Sequence, residues 1–253
     1  MCAVAYGDVG YGGGSGPPPG SRVPGVVRIV VADGHPLYRR GLTVLLASRP
    51  GWAVVAQEDT GAGTLTAALR TDPDLVVMDI DLPHPDAAET TRRIAGELRD
   101  VGILVLASRD DGAAMAGLLC AGARACLLKT DDQESVVRAV TAVARGDALL
   151  PASAARHVLA GGPELASREL EVLNLVAAGW SAEDISKVLV LDSAAVRAHV
   201  GAIVVKIQAA ERRRAALRAE ETPPPGDGGA VLGGPGSPRR TSSRRGNRRS
   251  RRR

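Results

Sequence analysis

The sequence predicts two folded domains in series, a doubly wound α/β domain with a five-stranded parallel sheet and then a small all-α domain. From residue 26 onward, short apolar runs alternate with segments of helical period, which is the pattern of a parallel sheet covered by helices on both faces. Beyond residue 163 the helical period continues with almost no strand signal. The Gly161-Gly162-Pro163 break separates the two regions.

The α/β domain is predicted over residues 26–146, after a Gly/Pro-rich extension, residues 1–25, that lacks the apolar groups needed to order itself. Its predicted strands are Val26–Val31, Trp52–Ala56, Leu75–Met78, Ile103–Ala107 and Ala125–Leu127. The helical segments between and after them include Leu37–Ala47, Ala87–Leu98 and Gln133–Arg145. The last of these is expected to end at Gly146, since glycine is common just past a helix end.

A linker is predicted over residues 147–162, with a short helix near Ala152–Leu159, and the all-α domain over residues 163–219. The helices expected in that domain are Ser167–Ala178, Ala182–Val190, Ser193–Gln208 and Arg212–Ala219. Residues 220–253 are predicted to be a disordered Arg-rich tail, because they contain almost no apolar groups.

Charge is distributed unevenly along the chain. From residue 222 onward the tail holds nine Arg and one Asp, which gives it a net charge of +8. Since the whole chain has a net charge of +4, residues 1–221 have a net charge of −4. Such a tail is either an arm that binds polyanions or a solvated extension, and composition leaves both open.

Cysteine usage and hydropathy indicate an intracellular chain. The three cysteines are odd in number and show neither zinc-ligand spacing nor a disulfide framework, which fits a reducing cytoplasm. No apolar run approaches the ~20 residues of a membrane span, and no signal peptide is recognisable. We therefore expect a cytoplasmic location and no membrane partner.

Polar residues are expected at the carboxyl ends of the predicted strands, where doubly wound sheets bind ligands. Asp33 follows the first strand and Asp79 the third, while Ser108 and Lys129 follow the fourth and fifth. A carboxylate that accepts a phosphoryl group needs a divalent cation and a lysine to offset charge, and this rim offers most of that set.

The α/β region resembles the receiver domain of bacterial response regulators in the stretches "VRIVVADGHPLYRRGL", "PDLVVMDIDLP" and "AGARACLLKT". The resemblance implies that Asp79 is the phospho-acceptor, that Asp33 and Asp79 bind Mg²⁺, and that Lys129 contacts the phosphoryl group. Ser108 completes the expected phosphate pocket, one place after the family's switch hydroxyl.

Three positions depart from the receiver pattern. Gly34 replaces an acid that usually binds Mg²⁺, Ala107 stands at the switch hydroxyl, and Cys126 at the aromatic switch position. Mg²⁺ is held by few protein oxygens, so we expect it to bind weakly or not at all because of Gly34, and phosphorylation at Asp79 to be slow or absent. The alternatives are that Asp79 only binds loop amides and that Lys129 is a solvated loop residue.

An enzyme interpretation rests on Asp79-Ile80-Asp81, which also resembles the DxD nucleophile motif of haloacid-dehalogenase phosphatases. That family places its motif on an early strand, whereas two predicted strands precede Asp79 here. Its acidic pair lies well beyond the lysine, whereas Asp131-Asp132 follow Lys129 immediately. We therefore predict that the chain is not an enzyme.

The all-α region resembles the LuxR-type helix-turn-helix domain that closes regulators of the NarL/FixJ class, over "ELASRELEVLNLVAAGWSAEDISKVLVLDSAAVRAHVGAIVVKIQAAERRRAAL". Ser181 and Asp192 are good N-caps for the two helices of the motif. The second helix repeats apolar residues at Val196, Val200, Ile203 and Ile207, which leaves its opposite face free for a major groove.

On that face Arg197 can bond a guanine bidentately and Ala198 can contact a thymine methyl. The resemblance implies base contacts at Arg197, Ala198 and Gly201, with His199, Lys206 and Arg212 as further DNA-binding positions. His199 is interpreted as a packing or phosphate-contacting residue rather than a metal ligand, because no second ligand lies at metal spacing.

The sequence thus predicts a DNA-binding transcription regulator of the response-regulator type that acts as a homodimer and has a sensor histidine kinase as its partner. One alternative is an orphan regulator, independent of phosphorylation and gated by a ligand or partner protein. Another is an interaction protein that no longer reads DNA and titrates a second regulator.

Overall fold

A computed structural model describes residues 25–161 and 164–221 of the chain. The predicted extension (residues 1–25, except Gly25) and most of the predicted tail lie outside the described residues, as do Gly162 and Pro163 of the break. Five strands are described: β1 (Val27–Ala32), β2 (Trp52–Glu58), β3 (Leu75–Asp79), β4 (Gly102–Ala107) and β5 (Ala125–Leu128). The helices are α1 (Pro36–Ala47), α2 (Gly61–Thr71), α3 (Ala87–Glu97), α4 (Gly112–Ala121), α5 (Gln133–Ala144), α6 (Ala152–Ala160), α7 (Ser167–Ala177), α8 (Ala182–Leu189) and α9 (Ser193–Glu221).

The five strands form one parallel sheet in the order β2-β1-β3-β4-β5. Successive residues of a strand point to opposite faces, so the apolar residues of each strand divide between two cores. One core packs α1 and α5 on residues such as Val31 and Val77, and the other packs α2, α3 and α4 on residues such as Val30 and Met78. The predicted fold class is confirmed, with strand ends shifted by one or two residues.

The strand order reverses between β1 and β3, which lie side by side although they are not consecutive in the sequence. The connections on either side of this point leave in opposite directions, which opens a crevice at the carboxyl ends of the two strands. Asp33 directly follows β1, and Asp79 is the last residue of β3. The fold therefore places both carboxylates at the topological switch point.

The segment between the two domains is a packed helix. Ala154 and Ala155 of α6 are fully buried, and α6 contacts both α4 and α7. The backbone of α4 approaches α6 so closely at Gly112 that a Cβ there would lie 2.5 Å from the carbonyl oxygen of Ser153. One apolar cluster consequently runs from the α4 face of the sheet through α6 into the helical domain.

The prediction of separate helices at Ser193–Gln208 and Arg212–Ala219 is wrong. One helix, α9, runs over 29 residues from Ser193 to Glu221. Residues 208–212 read Gln-Ala-Ala-Glu-Arg, all strong helix formers, and contain no Gly or Pro that would end the first helix. The helix therefore continues through the point where a break was expected.

No single helix among residues 25–161 and 164–221 is long and apolar enough to cross a membrane. The pair of α8 and residues 193–214 of α9 meets that test only when the two helices are taken together, and they are bent by 105° relative to each other.

Val190 has a left-handed backbone conformation. It ends α8 with φ of +53°, and its side chain is 90% exposed. A β-branched side chain in this left-handed region is strained, and exposure means that little packing offsets the strain.

We expect Val190→Gly to raise the free energy of unfolding by about 1–2 kcal/mol, because glycine adopts positive φ without strain. Urea denaturation followed by circular dichroism measures the change. The matched control is Val188→Gly, at an exposed position inside α8, which should lower stability by about 0.5–1 kcal/mol. Destabilisation by both substitutions would contradict strain at Val190.

Candidate functional site

Two carboxylates are buried side by side at the switch point. Asp33 and Asp79 are each only 1% exposed. The backbone N–H of His35 donates to Asp33 Oδ1 at 2.7 Å, and that of Asp81 donates to Asp79 Oδ1 at 3.3 Å. Adjacent buried negative charges repel each other strongly, so the pair requires a cation.

Lys129 supplies that cation from the turn after β5. Its Nζ lies 2.7 Å from Asp33 Oδ2 and 2.8 Å from Asp79 Oδ2, and 4.6 Å from the centre of the Tyr38 ring. Burial disfavours the charge on Lys129, but hydrogen bonds to the two carboxylates and their charges outweigh it and raise the pKa of Lys129 above its ordinary value. The structure thus brings Asp33, Asp79 and Lys129 together, as predicted from the sequence.

The other predicted pocket positions lie at the end of β4 and beside it. Ser108 is exposed, and the part of the chain that the structure describes shows no hydrogen bond between Ser108 and Asp79. Ala107, in contrast, is buried, and its carbonyl accepts a hydrogen bond from the backbone N–H of Lys129 at 2.8 Å. Cys126 is buried on β5, and burial raises its pKa to about 12, so it remains a thiol. The pocket is therefore lined by carboxylates and a lysine without a hydroxyl at the switch position.

His35 is a member of this site that the sequence analysis missed. Its Nδ1 lies 3.2 Å from Asp33 Oδ1 and 3.5 Å from Asp79 Oδ2, while its side chain is 69% exposed. The three side chains form a group that could hold a metal ion. The sequence feature that could have identified His35 is its position two residues after Asp33, at the start of α1.

In the helical domain, α8 and α9 form the predicted helix-turn-helix pair. The Ser181 hydroxyl accepts from the backbone N–H of Asp184 at 3.2 Å, and Asp192 Oδ1 accepts from that of Ala195 at 2.6 Å. These two caps fix where each helix begins. Ile185, Val196 and Ile203 are buried between the helices and α7, so the stripe predicted on α9 does form the core.

The predicted DNA-binding residues occupy the rest of the α9 surface. Arg197 and Ala198 are exposed, His199 and Gly201 are partly exposed, and Lys206 and Arg212 are exposed farther along the helix. Lys206 Nζ donates to Glu169 Oε2 at 2.6 Å. That bond, with the Ala166 N–H and the Lys206 charge, holds the pKa of Glu169 below its ordinary value. The Lys206 ammonium is thereby fixed on one side of α9.

The receiver-like domain contacts α9 directly. Arg197 Nε lies 3.7 Å from Asp147 Oδ2, which belongs to the segment after α5. Gln208 Nε2 donates to the carbonyl of Ala123 at 3.1 Å, and α4 packs along α9. The helix α9 is therefore held against the first domain at two points, Arg197 and Gln208.

Comparison with known proteins agrees with both domains. Residues 29–141 match the model of the "Response regulator receiver domain", and residues 163–219 that of "Bacterial regulatory proteins, luxR family". The uncharacterized transcriptional regulatory protein YhcZ of Bacillus subtilis is 32% identical over 74% of this chain and 92% of its own. The probable transcriptional regulatory protein NarL of Mycobacterium tuberculosis is 31% identical, over 75% of this chain and 91% of its own. DegU of Brevibacillus brevis is 29% identical, over 74% and 89%.

The fold, the carboxylate pocket and the helix-turn-helix pair together define a transcription regulator of the two-component type, with a receiver domain and a DNA-binding domain. The chain belongs to the LuxR-type response regulators, the family of NarL and DegU. These relatives are transcription regulators and not phosphatases, so the DxD resemblance of Asp79-Ile80-Asp81 is not favoured.

Proposed function

We propose that this protein binds DNA as a homodimer at paired half-sites and that its receiver controls access to α9. Arg197, Ala198 and Gly201 read base edges, and His199, Lys206 and Arg212 lie nearer to phosphates. The observation that carries this proposal is that α9 presents Arg197, Ala198 and Gly201 outside its buried stripe. Helix-turn-helix dimers read half-sites that are related by the symmetry of the dimer.

The contact between Asp147 and Arg197 supports control by the receiver. A carboxylate 3.7 Å from the arginine occupies the place that a base edge or phosphate would take. The packing of α4 on α9 adds bulk at the same helix. Binding to DNA and the contact with the receiver therefore compete for α9, and any input that weakens the contact raises DNA affinity.

We propose that a sensor histidine kinase is the partner and Asp79 the acceptor, but that Mg²⁺ binds weakly or not at all. Two carboxylates remain where Gly34 removes a third, and Lys129 already lies within 2.8 Å of both. Mg²⁺ prefers an octahedral set of oxygen ligands, and this pocket offers few that are free. Phosphoryl transfer without a firmly bound cation is slow.

The family relationship favours this function over the orphan regulator gated by a ligand or partner. A regulator of this type acts in the cytoplasm, where bacterial DNA is accessible, and needs no catalytic turnover of its own to act on DNA.

Phosphorylation of the wild-type protein is expected to be slow, and Gly34→Asp should accelerate it and raise Mg²⁺ affinity. Space exists for the new side chain, since a Cβ at Gly34 would meet only Pro83 Cδ, at 3.8 Å. Intact mass after treatment with acetyl phosphate and Mg²⁺ measures the label, with Asp79→Asn as the unlabelled control. Equally rapid labelling of wild type and Gly34→Asp would show that Gly34 does not limit the site.

Asp147→Asn should raise DNA affinity by up to about fivefold, because a partly exposed ion pair contributes ~0.2–1 kcal/mol. Fluorescence anisotropy with labelled duplexes measures the affinity. The control Asp100→Asn removes the same charge at an exposed position outside the contact and should change affinity less. In an Arg197→Ala background the effect of Asp147→Asn should disappear. An equal gain from both Asp→Asn variants would reduce the effect to net charge.

Arg197→Ala should weaken binding to the preferred sequence by about 1–3 kcal/mol, the value of a bidentate contact with guanine. Affinities for a selected sequence and for its scrambled version are compared at one salt concentration. Equal weakening on both DNAs would make Arg197 a phosphate contact. No change on either would show that α9 is not the helix that reads DNA.

A further inference from the structure

A cavity of about 420 Å³ lies where the receiver, α6 and the helical domain meet. Met115 of α4 and Cys126 of β5 form one wall, and Ile185 of α8 and Val200 of α9 form the other. Residues 148–153, at the start of α6 and before it, join the two walls. We call this space the interdomain cavity. Its volume lies within the ~300–1,000 Å³ of small-molecule sites, which are common at domain interfaces.

The deep wall of the interdomain cavity is apolar and carries no charge. Met115, Cys126, Ile185 and Val196 line it and are each 1% exposed. Cys126 is a neutral thiol, because burial raises its pKa to about 12. A charged group placed against this wall would lose its hydration without gaining a partner. The wall therefore selects an uncharged molecule.

The charged side chains that line the cavity balance one another. They are Asp110, Asp131, Arg156 and Arg197, and all four are exposed, which places them at the mouth. Two carboxylates and two guanidinium groups give the mouth no net charge, so it attracts neither anions nor cations over a distance. The charge of the mouth thus agrees with the uncharged wall.

Trp180 and Ser153 supply an aromatic surface and a hydrogen-bonding group. Trp180 lies between α7 and α8, lines the cavity and is 46% exposed, so its indole ring is partly free to stack on a bound ring. The Ser153 hydroxyl donates to Met115 Sδ at 3.9 Å, and a thioether is a weak acceptor. Ser153 can therefore exchange this bond for a stronger one to an oxygen of a ligand.

We propose that the interdomain cavity binds an uncharged, mostly apolar ring compound that carries a carbonyl or hydroxyl oxygen. Its rings lie between Trp180 and the apolar wall, and its oxygen accepts a hydrogen bond from Ser153. The site is separate from the carboxylate pocket at Asp79. The ligand is therefore an additional input to the regulator and does not replace phosphorylation.

The two walls link this ligand to the position of α9. Val196, Arg197 and Val200 of α9 line the cavity together with residues of the receiver. A molecule that contacts both walls binds best while α9 lies against the receiver, so it stabilises that arrangement. This step rests on the proposed function, in which DNA and the receiver compete for α9. By reciprocity, the ligand lowers DNA affinity and DNA lowers ligand affinity.

The test uses the full chain and Nile red, an uncharged ring compound with a carbonyl group whose fluorescence rises in apolar surroundings. Titration without DNA is expected to show saturable binding of one molecule per chain. Trp180→Ala should weaken binding at least about fivefold, because the aromatic surface is lost. Ala182→Trp should weaken it further, because Ala182 lines the cavity and is only partly buried, so the larger side chain fills the space.

The matched control is Leu170→Ala, which removes an exposed apolar side chain of α7 outside the cavity and should leave binding unchanged. Circular dichroism verifies that each variant is folded. Absence of saturable binding, affinities in Trp180→Ala and Ala182→Trp equal to that of the wild type, or an equal loss in Leu170→Ala would each overturn the site.

A second titration measures Nile red binding in the presence of saturating DNA, with the signal of DNA and Nile red alone subtracted. We expect the affinity for Nile red to fall. An unchanged affinity while DNA is bound would overturn the link to α9. A chain that binds Nile red but no DNA would overturn the proposed function and support the site.

Discussion

Neutralising two adjacent buried carboxylates is the constraint on which the receiver depends. Asp33 and Asp79 come from different strands and are almost completely buried, and the Lys129 ammonium lies within 2.8 Å of both. Removing one partner of such a buried set typically destabilises a protein by about 3–5 kcal/mol. The lysine therefore ties the ends of β1, β3 and β5 together at the switch point.

The strand that precedes this lysine, β5, also positions the contact with α9. Ala125 of β5 pairs with Leu149, and the N–H of Leu149 donates to the Arg124 carbonyl at 2.8 Å. That bridge fixes the segment containing Asp147, whose carboxylate meets Arg197. A change of charge around Asp79 that moves Lys129 acts on β5. β5 is linked through Leu149 and Asp147 to Arg197, the arginine proposed to read DNA. These contacts form a physical connection, and the Asp147 and Arg197 variants measure how much coupling passes through it.

Most of the fold could be predicted from local sequence signals. Most of the pocket could be predicted from which residues follow the strands along the chain. Apolar alternation predicted five strands because each is bounded by turns or by amphipathic helices, and the strand ends placed Asp33, Asp79 and Lys129. One member of the pocket could be found only from the three-dimensional structure. His35 enters the pocket because the start of α1 folds back over Asp33, and sequence spacing does not show the direction of its ring.

Helix continuity was predicted wrongly for a different reason. The predicted helices stopped at Gln208 and resumed at Arg212, although Gln-Ala-Ala-Glu-Arg across that point has high helix propensity, and local propensity prevailed in the structure. The contact between Asp147 and Arg197 joins residues 50 positions apart, which no periodicity reveals.

We propose that α9 leaves the receiver before it binds DNA, and Cys120 reports this directly. This half-buried thiol on α4 lies beside the cleft between α4 and α9, and burial, together with the charge of Glu211, raises its pKa. In a Cys2→Ser background, with Cys126 buried, iodoacetamide labels Cys120 at a rate that intact mass spectrometry can follow. We expect saturating DNA carrying the preferred sequence to raise this rate, because α9 no longer covers α4. DNA that binds fully while the labelling rate of Cys120 stays unchanged would contradict it.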